Sequence, residues 1–297
     1  MRRPYRSTLF VPAAKKGWVE KAIAAGPDAV ILDLEDAVSE EGKPRARKMA
    51  VEAISALNAA SVPAYVRINS FSTTHWLDDV TTLAIPGLAG IAVPKFYSST
   101  EIEVIDQILG VLERKNSIAP NSIEIQPIFE TALAMARGYE VLSSSSRIHS
   151  YHAGTARNGD VNHSLGYIWT ADGLETLYLR SKLLMDGRAA GVPYPLTGVW
   201  TDVRDDIGFR AFARQGRQLG FTGMYLIHPR HVSIANEVFT PSQEEITYFQ
   251  RVLKVLEEQS ASGAGAVQLD GEMIDIAMAA RGRSVLELAQ SLGKLEM

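Results

Sequence analysis

Residues 29–36 read "AVILDLED". The first four are apolar and β-prone, and the run ends in acids: Asp33, Glu35 and Asp36. A short, continuously apolar strand is one buried on both faces, as strands of a parallel sheet are. Similar runs recur along the chain at 6–13, 64–69, 90–95, 123–130, 147–154, 195–200 and 223–229. Helical periodicity falls between them at 16–25, 43–57, 76–84, 101–114, 131–142, 173–190 and 206–219. Eight β-then-α units predict a closed (β/α)₈ barrel, with a doubly wound open sheet as the alternative. No G-x-G-x-x-G follows the first strand and no G-x-x-x-x-G-K-[ST] occurs, so nucleotide folds lose their usual support.

Beyond the last strand, helices are expected at 230–238, 242–258 and 272–292, the last after the Ser/Ala/Gly run near 260. This divides the chain into a barrel at 1–240 and a helical lid extension at 241–297, hinged at about 260–270.

The chain has 297 residues, a net charge of −4 and no cysteine. The missing cysteines exclude disulfides, thiolate metal sites and cysteine nucleophiles. The acidic balance argues against a nucleic-acid partner. No apolar run is long enough for a bilayer span, and the opening "MRRPYRSTLFVP" lacks a signal-length core. A cytoplasmic location without membrane association is expected.

Functional groups of such barrels gather where strands end. Read in order, those ends carry Asp33, Glu35 and Asp36, then Arg67 and Asn69, Lys95, Glu130, a stretch with His152, Arg157 and Asp160, and finally His228. So many acids in one pocket demand a cation. Glu130 and Asp160, with little histidine nearby, suit a hard divalent ion such as Mg²⁺. Arg67 is then available to fork onto a substrate carboxylate. Each residue has a plainer reading: Asp33 and Glu35 as salt-bridged rim residues, Lys95 as a solvated rim charge, His228 as a backbone partner.

The strings "RSTLFVPA", "DAVILDLEDAV", "VRIN", "PIFETA", "GVWTDVRD" and "GFTGMYLIHPRHV", in this order over about residues 6–280, resemble the citrate lyase β-subunit-like family of the HpcH/HpaI aldolase superfamily. That family includes malyl-CoA and citramalyl-CoA lyases. The resemblance implies a TIM barrel that binds Mg²⁺, with Mn²⁺ as a substitute, through Glu130 of the "E-T" pair and Asp160, six residues before Gly166. It implies that Arg67 holds the keto-acid half, and that Glu35 and Asp36 order water or substrate. Two departures stand out. The usual "F-G-x-x-D" is "HAGTARNGD", and the usual "V-P-G-N" is "VPAAKKG", where Lys15 and Lys16 are placed to meet CoA phosphates.

The implied reaction is reversible carbon–carbon cleavage of a 3-hydroxyacyl-CoA to a 2-oxo acid and acetyl-CoA. Citramalyl-CoA, giving pyruvate, is the first substrate expected, and malyl-CoA, giving glyoxylate, the alternative. The enolate released needs a proton at carbon. The family's lid motif resembles "GEMID" (271–275), which makes Asp275 that acid, acting in a homotrimer or hexamer on a neighbouring subunit. A malyl-CoA thioesterase or malate-synthase-like hydrolase on the same scaffold is a second reading, and a non-catalytic barrel a third.

Overall fold

A computed structural model describes residues 4–260 and 266–295. Eight strands, β1 (Ser7–Pro12), β2 (Ala29–Asp33), β3 (Ala64–Arg67), β4 (Leu88–Val93), β5 (Glu124–Phe129), β6 (Ser150–Ala153), β7 (Tyr194–Thr197) and β8 (Gly223–Leu226), close into a barrel in sequence order. All neighbours are parallel, and β1 closes the ring on β8 by pairing Ser7 with Met224. The open-sheet alternative is thereby excluded.

The helices between the strands are α1 (Trp18–Ala25), α2 (Lys43–Ala59), α3 (His75–Leu83), α4 (Ser99–Lys115), α5 (Ala132–Ala136), α6 (Gly138–Leu142), α7 (Asp160–Leu165), α8 (Leu177–Ala189) and α9 (Asp206–Leu219). Local chemistry starts several of them. Ser98 and Glu101 form a capping box at α4, and Asp205 accepts the Gly208 N–H at 2.8 Å to open α9. The single helix expected at 131–142 is instead two short ones. The chain breaks at Arg137, and Gly138, which opens the second helix, is pressed against α8: a Cβ there would lie 2.2 Å from Asp186.

Side chains of a strand alternate between barrel interior and helix layer. Ala29 and Ile31 of β2, Tyr65 of β3, Ala92 of β4, Ile128 of β5, Leu196 of β7 and Tyr225 of β8 pack together in the interior. Polar groups among them are paired: the Tyr65 hydroxyl donates to Glu124 at 2.7 Å, and the Tyr225 hydroxyl donates to Gln126. Outside the barrel, Arg147 before β6 is clamped by Glu113 and Asp106 of α4, both at 2.6 Å.

The chain separates into two compact units, one formed by Tyr5–Glu237 and one running from Val238 onward. α10 (Val232–Val238) ends the first. The second contains α11 (Gln243–Ser260), β9 (Ala266–Leu269), β10 (Glu272–Asp275) and α12 (Ile276–Ser291). Its core is built on Phe249, Val252 and Ile274, with Tyr248, Leu256, Leu269 and Val285 around them. This corrects the tail expected from sequence. Residues 272–275 form a strand, antiparallel to β9 with Ile274 opposite Val267, and the helix begins only at Ile276. The turn residues Asp270 and Gly271 have φ of +52° and +88°, as a two-residue hairpin turn requires. Arg251 grips Asp270 through both carboxylate oxygens at 2.7 Å. Part of the expected hinge is therefore hairpin; its residues 261–265 lie outside those described. Among the described residues, no helix is long and apolar enough to cross a membrane.

Candidate active site

The interior positions of the barrel continue past the core at the carboxyl ends of the strands. Two residues beyond Ile31 comes Asp33, two beyond Tyr65 comes Arg67, and two beyond Ile128 comes Glu130. The same step beyond His152 on β6 gives Gly154. These positions, with Asp160 at the first turn of α7, line one cavity of about 290 Å³. Its apolar walls are Phe10, Ile128, Val199, Tyr225 and Ile227, and Trp18 stands at its rim, half exposed. Chain alternation thus delivers to one place three charged groups that are far apart in sequence.

Arg67 is the hub. Its Nε and Nη2 donate to the two carboxylate oxygens of Asp33 at 2.8 and 2.7 Å, and Nη1 lies 2.9 Å from Glu35 and 3.4 Å from Asp36. The guanidinium also stands over the Phe10 ring. Burial alone would lower its pKa, but the hydrogen bonds and charge of Asp33, with Glu35 and Glu130 behind, raise it. The fork that Arg67 presents is held here by Asp33. A substrate oxygen would meet the remaining N–H groups. Asp33 also accepts the Glu35 N–H at 3.0 Å, so one carboxylate both aims the arginine and shapes the β2 loop.

Glu130 is buried, and its Oε1 accepts the Lys95 main-chain N–H at 2.8 Å. Burial, with the charges of Glu35 and Asp160 beside it, pushes its pKa up to about 8 against the partial relief from Arg67. Asp160 is half exposed, and its Oδ2 lies 3.9 Å from the Lys95 ammonium. Among the described residues, no three His, Cys, Asp or Glu side chains gather closely enough to enclose an ion by themselves. Two carboxylates facing one cavity, one of them buried with its charge poorly compensated, fit a Mg²⁺ whose other positions are filled by water and substrate oxygens.

Glu35 and Asp36 do not line the cavity. They stand behind Arg67, and Lys95 bridges them at 2.8 and 2.9 Å. Burial raises the Glu35 pKa despite Arg67 and Lys95; for Asp36 the Lys95 hydrogen bond and the Arg67 charge outweigh burial and lower it. Lys15 and Lys16 are exposed in the turn between β1 and α1, away from the cavity lining, and α1 starts at Trp18 rather than Lys16. His228 is exposed, and its Nδ1 accepts the Arg230 N–H at 3.1 Å. Asp275 ends β10 in the second unit, where its carboxylate accepts the Met278 N–H at 3.4 Å as a cap for α12. Of its neighbours, Ile274 is buried, whereas Met273 and Ile276 are exposed.

Sequence reasoning missed three contributors. In the sequence Lys95 stands as a strand-end residue whose plainer role is a rim charge, and Trp18 carries no signal beyond its helix. His152 was noted but given no role. It lies inside the barrel, its ring stacked on Tyr225 at 4.0 Å, and burial lowers its pKa to about 3.

A closed parallel barrel with charged side chains gathered at the carboxyl ends of its strands defines a class: a TIM-barrel protein with the site layout of an enzyme. The sequence profile described as HpcH/HpaI aldolase/citrate lyase matches residues 6–229, and the chain belongs to that family. It is a lyase. Its relatives include L-malyl-CoA/β-methylmalyl-CoA lyase of Cereibacter sphaeroides, 32% identical over 311 residues that cover 98% of this chain and 96% of the relative. The citrate lyase β subunit of Leuconostoc mesenteroides subsp. cremoris is 29% identical, over 96% of this chain and 93% of the relative. Among solved structures, the protein CitE of Mycobacterium tuberculosis, in complex with magnesium, acetoacetate and coenzyme A, superposes with a TM-score of 0.73 at 26% identity. The match covers 98% of this chain and 100% of that one.

Proposed function

We propose that this enzyme is a Mg²⁺-dependent lyase that cleaves a carbon–carbon bond of a 3-hydroxyacyl-CoA, releasing a short 2-oxo acid and acetyl-CoA. The observation that carries this reading is the convergence of Glu130, Asp160 and Arg67 on one cavity. Glu130 and Asp160 would hold the ion, with Mn²⁺ as its substitute, and the ion would supply Lewis-acid stabilisation of the charge that develops on the substrate oxygen. Arg67, aimed by Asp33, adds positive charge at the oxygens of the keto-acid half. The apolar walls keep water from the enolate of acetyl-CoA. Asp275 gives that enolate its proton at carbon, from the lid of a neighbouring subunit in a homotrimer, and the proton of the substrate hydroxyl leaves to solvent at the cavity mouth as the carbonyl forms. Lys15 and Lys16, exposed in the turn before Trp18, would meet the CoA phosphates outside the cavity.

Citramalyl-CoA is the preferred substrate in this reading, because Phe10, Ile128 and Val199 offer an apolar wall that favours the methyl group of pyruvate. One methyl group is worth about 1–3 kcal/mol in such a pocket. The name of the relative from Cereibacter sphaeroides favours malyl-CoA as the runner-up. The test is incubation with each ester and Mg²⁺, reading keto acid, acetyl-CoA and free CoA together. Keto acid with acetyl-CoA supports the lyase, and free CoA without keto acid replaces it with the hydrolase. No turnover of either ester overturns the proposal.

A further inference from the structure

Lys95 stands in the middle of the acidic centre. Its main-chain N–H holds Glu130 at 2.8 Å. Its ammonium reaches Glu35 at 2.8 Å, Asp36 at 2.9 Å and Asp160 at 3.9 Å. One residue thus bonds Glu130 through its backbone and the acidic pair through its ammonium, which stands 3.9 Å from Asp160. It does so from a left-handed backbone with φ of +48°, a conformation that side chains other than glycine rarely adopt. Such strain persists where the surroundings over-determine a residue, and it gathers at functional sites. Here both ends of Lys95 are pinned, the amide by Glu130 and the ammonium by carboxylates.

The charges around it do not balance. Asp33, Glu35, Asp36 and Asp160 face Arg67 and Lys95, and Arg67 is committed to Asp33, Glu35 and Asp36. The Lys95 ammonium is therefore the cation that tempers Asp160. Its flexible stem makes it a point charge that can move, whereas the planar guanidinium of Arg67 is locked in its fork.

We propose that Lys95 is the built-in counter-ion of this centre, and that a divalent cation arriving between Glu130 and Asp160 displaces its ammonium from Asp160. The inference rests on the reading that those two carboxylates hold the cation. Without the ion, Lys95 keeps the acids from repelling one another. With the ion, the ammonium retains Glu35 and Asp36 and faces a charge of its own sign. A neutral side chain at 95 removes that repulsion, so Mg²⁺ binds more tightly, by about tenfold for unit and double charges a few ångströms apart in a hydrated site.

The experiment is calorimetric titration of MgCl₂ into the metal-free, full-length protein at fixed ionic strength. It compares wild type, Lys95→Met, Lys95→Arg and Glu130→Gln, with a thermal melt of each. Met keeps the length of the stem and brings no new backbone strain. Lys95→Met is expected to tighten Mg²⁺ about tenfold and to enlarge the Mg²⁺-induced rise in melting temperature. Lys95→Arg, which keeps the charge, is expected not to tighten it, and Glu130→Gln to abolish binding. An unchanged or weakened affinity in a folded Lys95→Met overturns the counter-ion role while leaving the metal site standing. Tightening in Lys95→Arg also overturns it. If wild type and Glu130→Gln alike bind no Mg²⁺, the metal reading falls, and the inference with it.

Discussion

Arg67 owes its position to Asp33, a residue whose plain reading was a rim salt bridge. The paired bonds at 2.8 and 2.7 Å fix the guanidinium plane, and groups that orient a reacting residue in this way are worth about 10- to 100-fold in activity. Asp33→Asn keeps the shape and weakens that grip. It is expected to lower kcat/KM by about that factor and to change Mg²⁺ affinity less, because both carboxylate oxygens of Asp33 are taken by Arg67. Steady-state kinetics beside calorimetry checks both halves. His152 makes a prediction about stability. Burial lowers its pKa to about 3, so the folded state refuses a proton that the unfolded chain accepts below about 6.5. Its contribution is whole above that pH and is lost as the pH falls toward 3. Between pH 6.5 and 5 the loss is about 1.5 kcal/mol. Glu130, whose pKa is raised to about 8, gains stability over the same window, so the His152 effect is read as a difference: urea denaturation at the two pH values should show wild type losing about that much more, or gaining that much less, than His152→Asn.

The hairpin of β9 and β10 is the element where sequence and structure part most clearly. Its signal was present: alternating "AVQL" and "EMID" flank Asp270-Gly271, a strong short-range hairpin pair. The apolar residues of 272–280 also satisfy a helical period, and the helix that follows drew the boundary forward. Gly271 sits at φ +88° with nothing within 4 Å of where a Cβ would be, so a side chain there would cost conformation and not space. Gly271→Val is expected to weaken the hairpin by about 1–2 kcal/mol. Amide exchange would show this as lost protection across 266–275, with the barrel strands unchanged.

For the whole molecule the question is where Asp275 acts. The proposed trimer, three chains of 32.4 kDa, has a neighbour for every pocket. Arg67→Ala and Asp275→Asn should each be nearly inactive alone. Co-expressed, they should regain activity, because about one site in four then combines an intact Arg67 with an intact Asp275 from the next subunit. A mixed preparation as inactive as its parents would return Asp275 to its own chain or to a structural role. Light scattering on the wild type checks the assembly itself.

Much of this protein was legible in its sequence for a simple reason. A strand buried on both faces must be continuously apolar, and its last interior position must be polar once it meets water. That rule finds eight strands, the barrel, and Asp33, Arg67 and Glu130 at their ends. Pairwise chemistry was not legible. That Arg67 spends its fork on Asp33, that Lys95 spans four carboxylates, and that His152 stacks on Tyr225 are facts about residues 34, 35 to 65, and 73 positions apart. Only the pairing and packing of the strands brings them within hydrogen-bonding or van der Waals distance. Sequence therefore determined which groups reach the mouth of the barrel. Tertiary structure decided which of them neutralise one another there, because Coulomb energy and desolvation depend on distances that no linear pattern encodes.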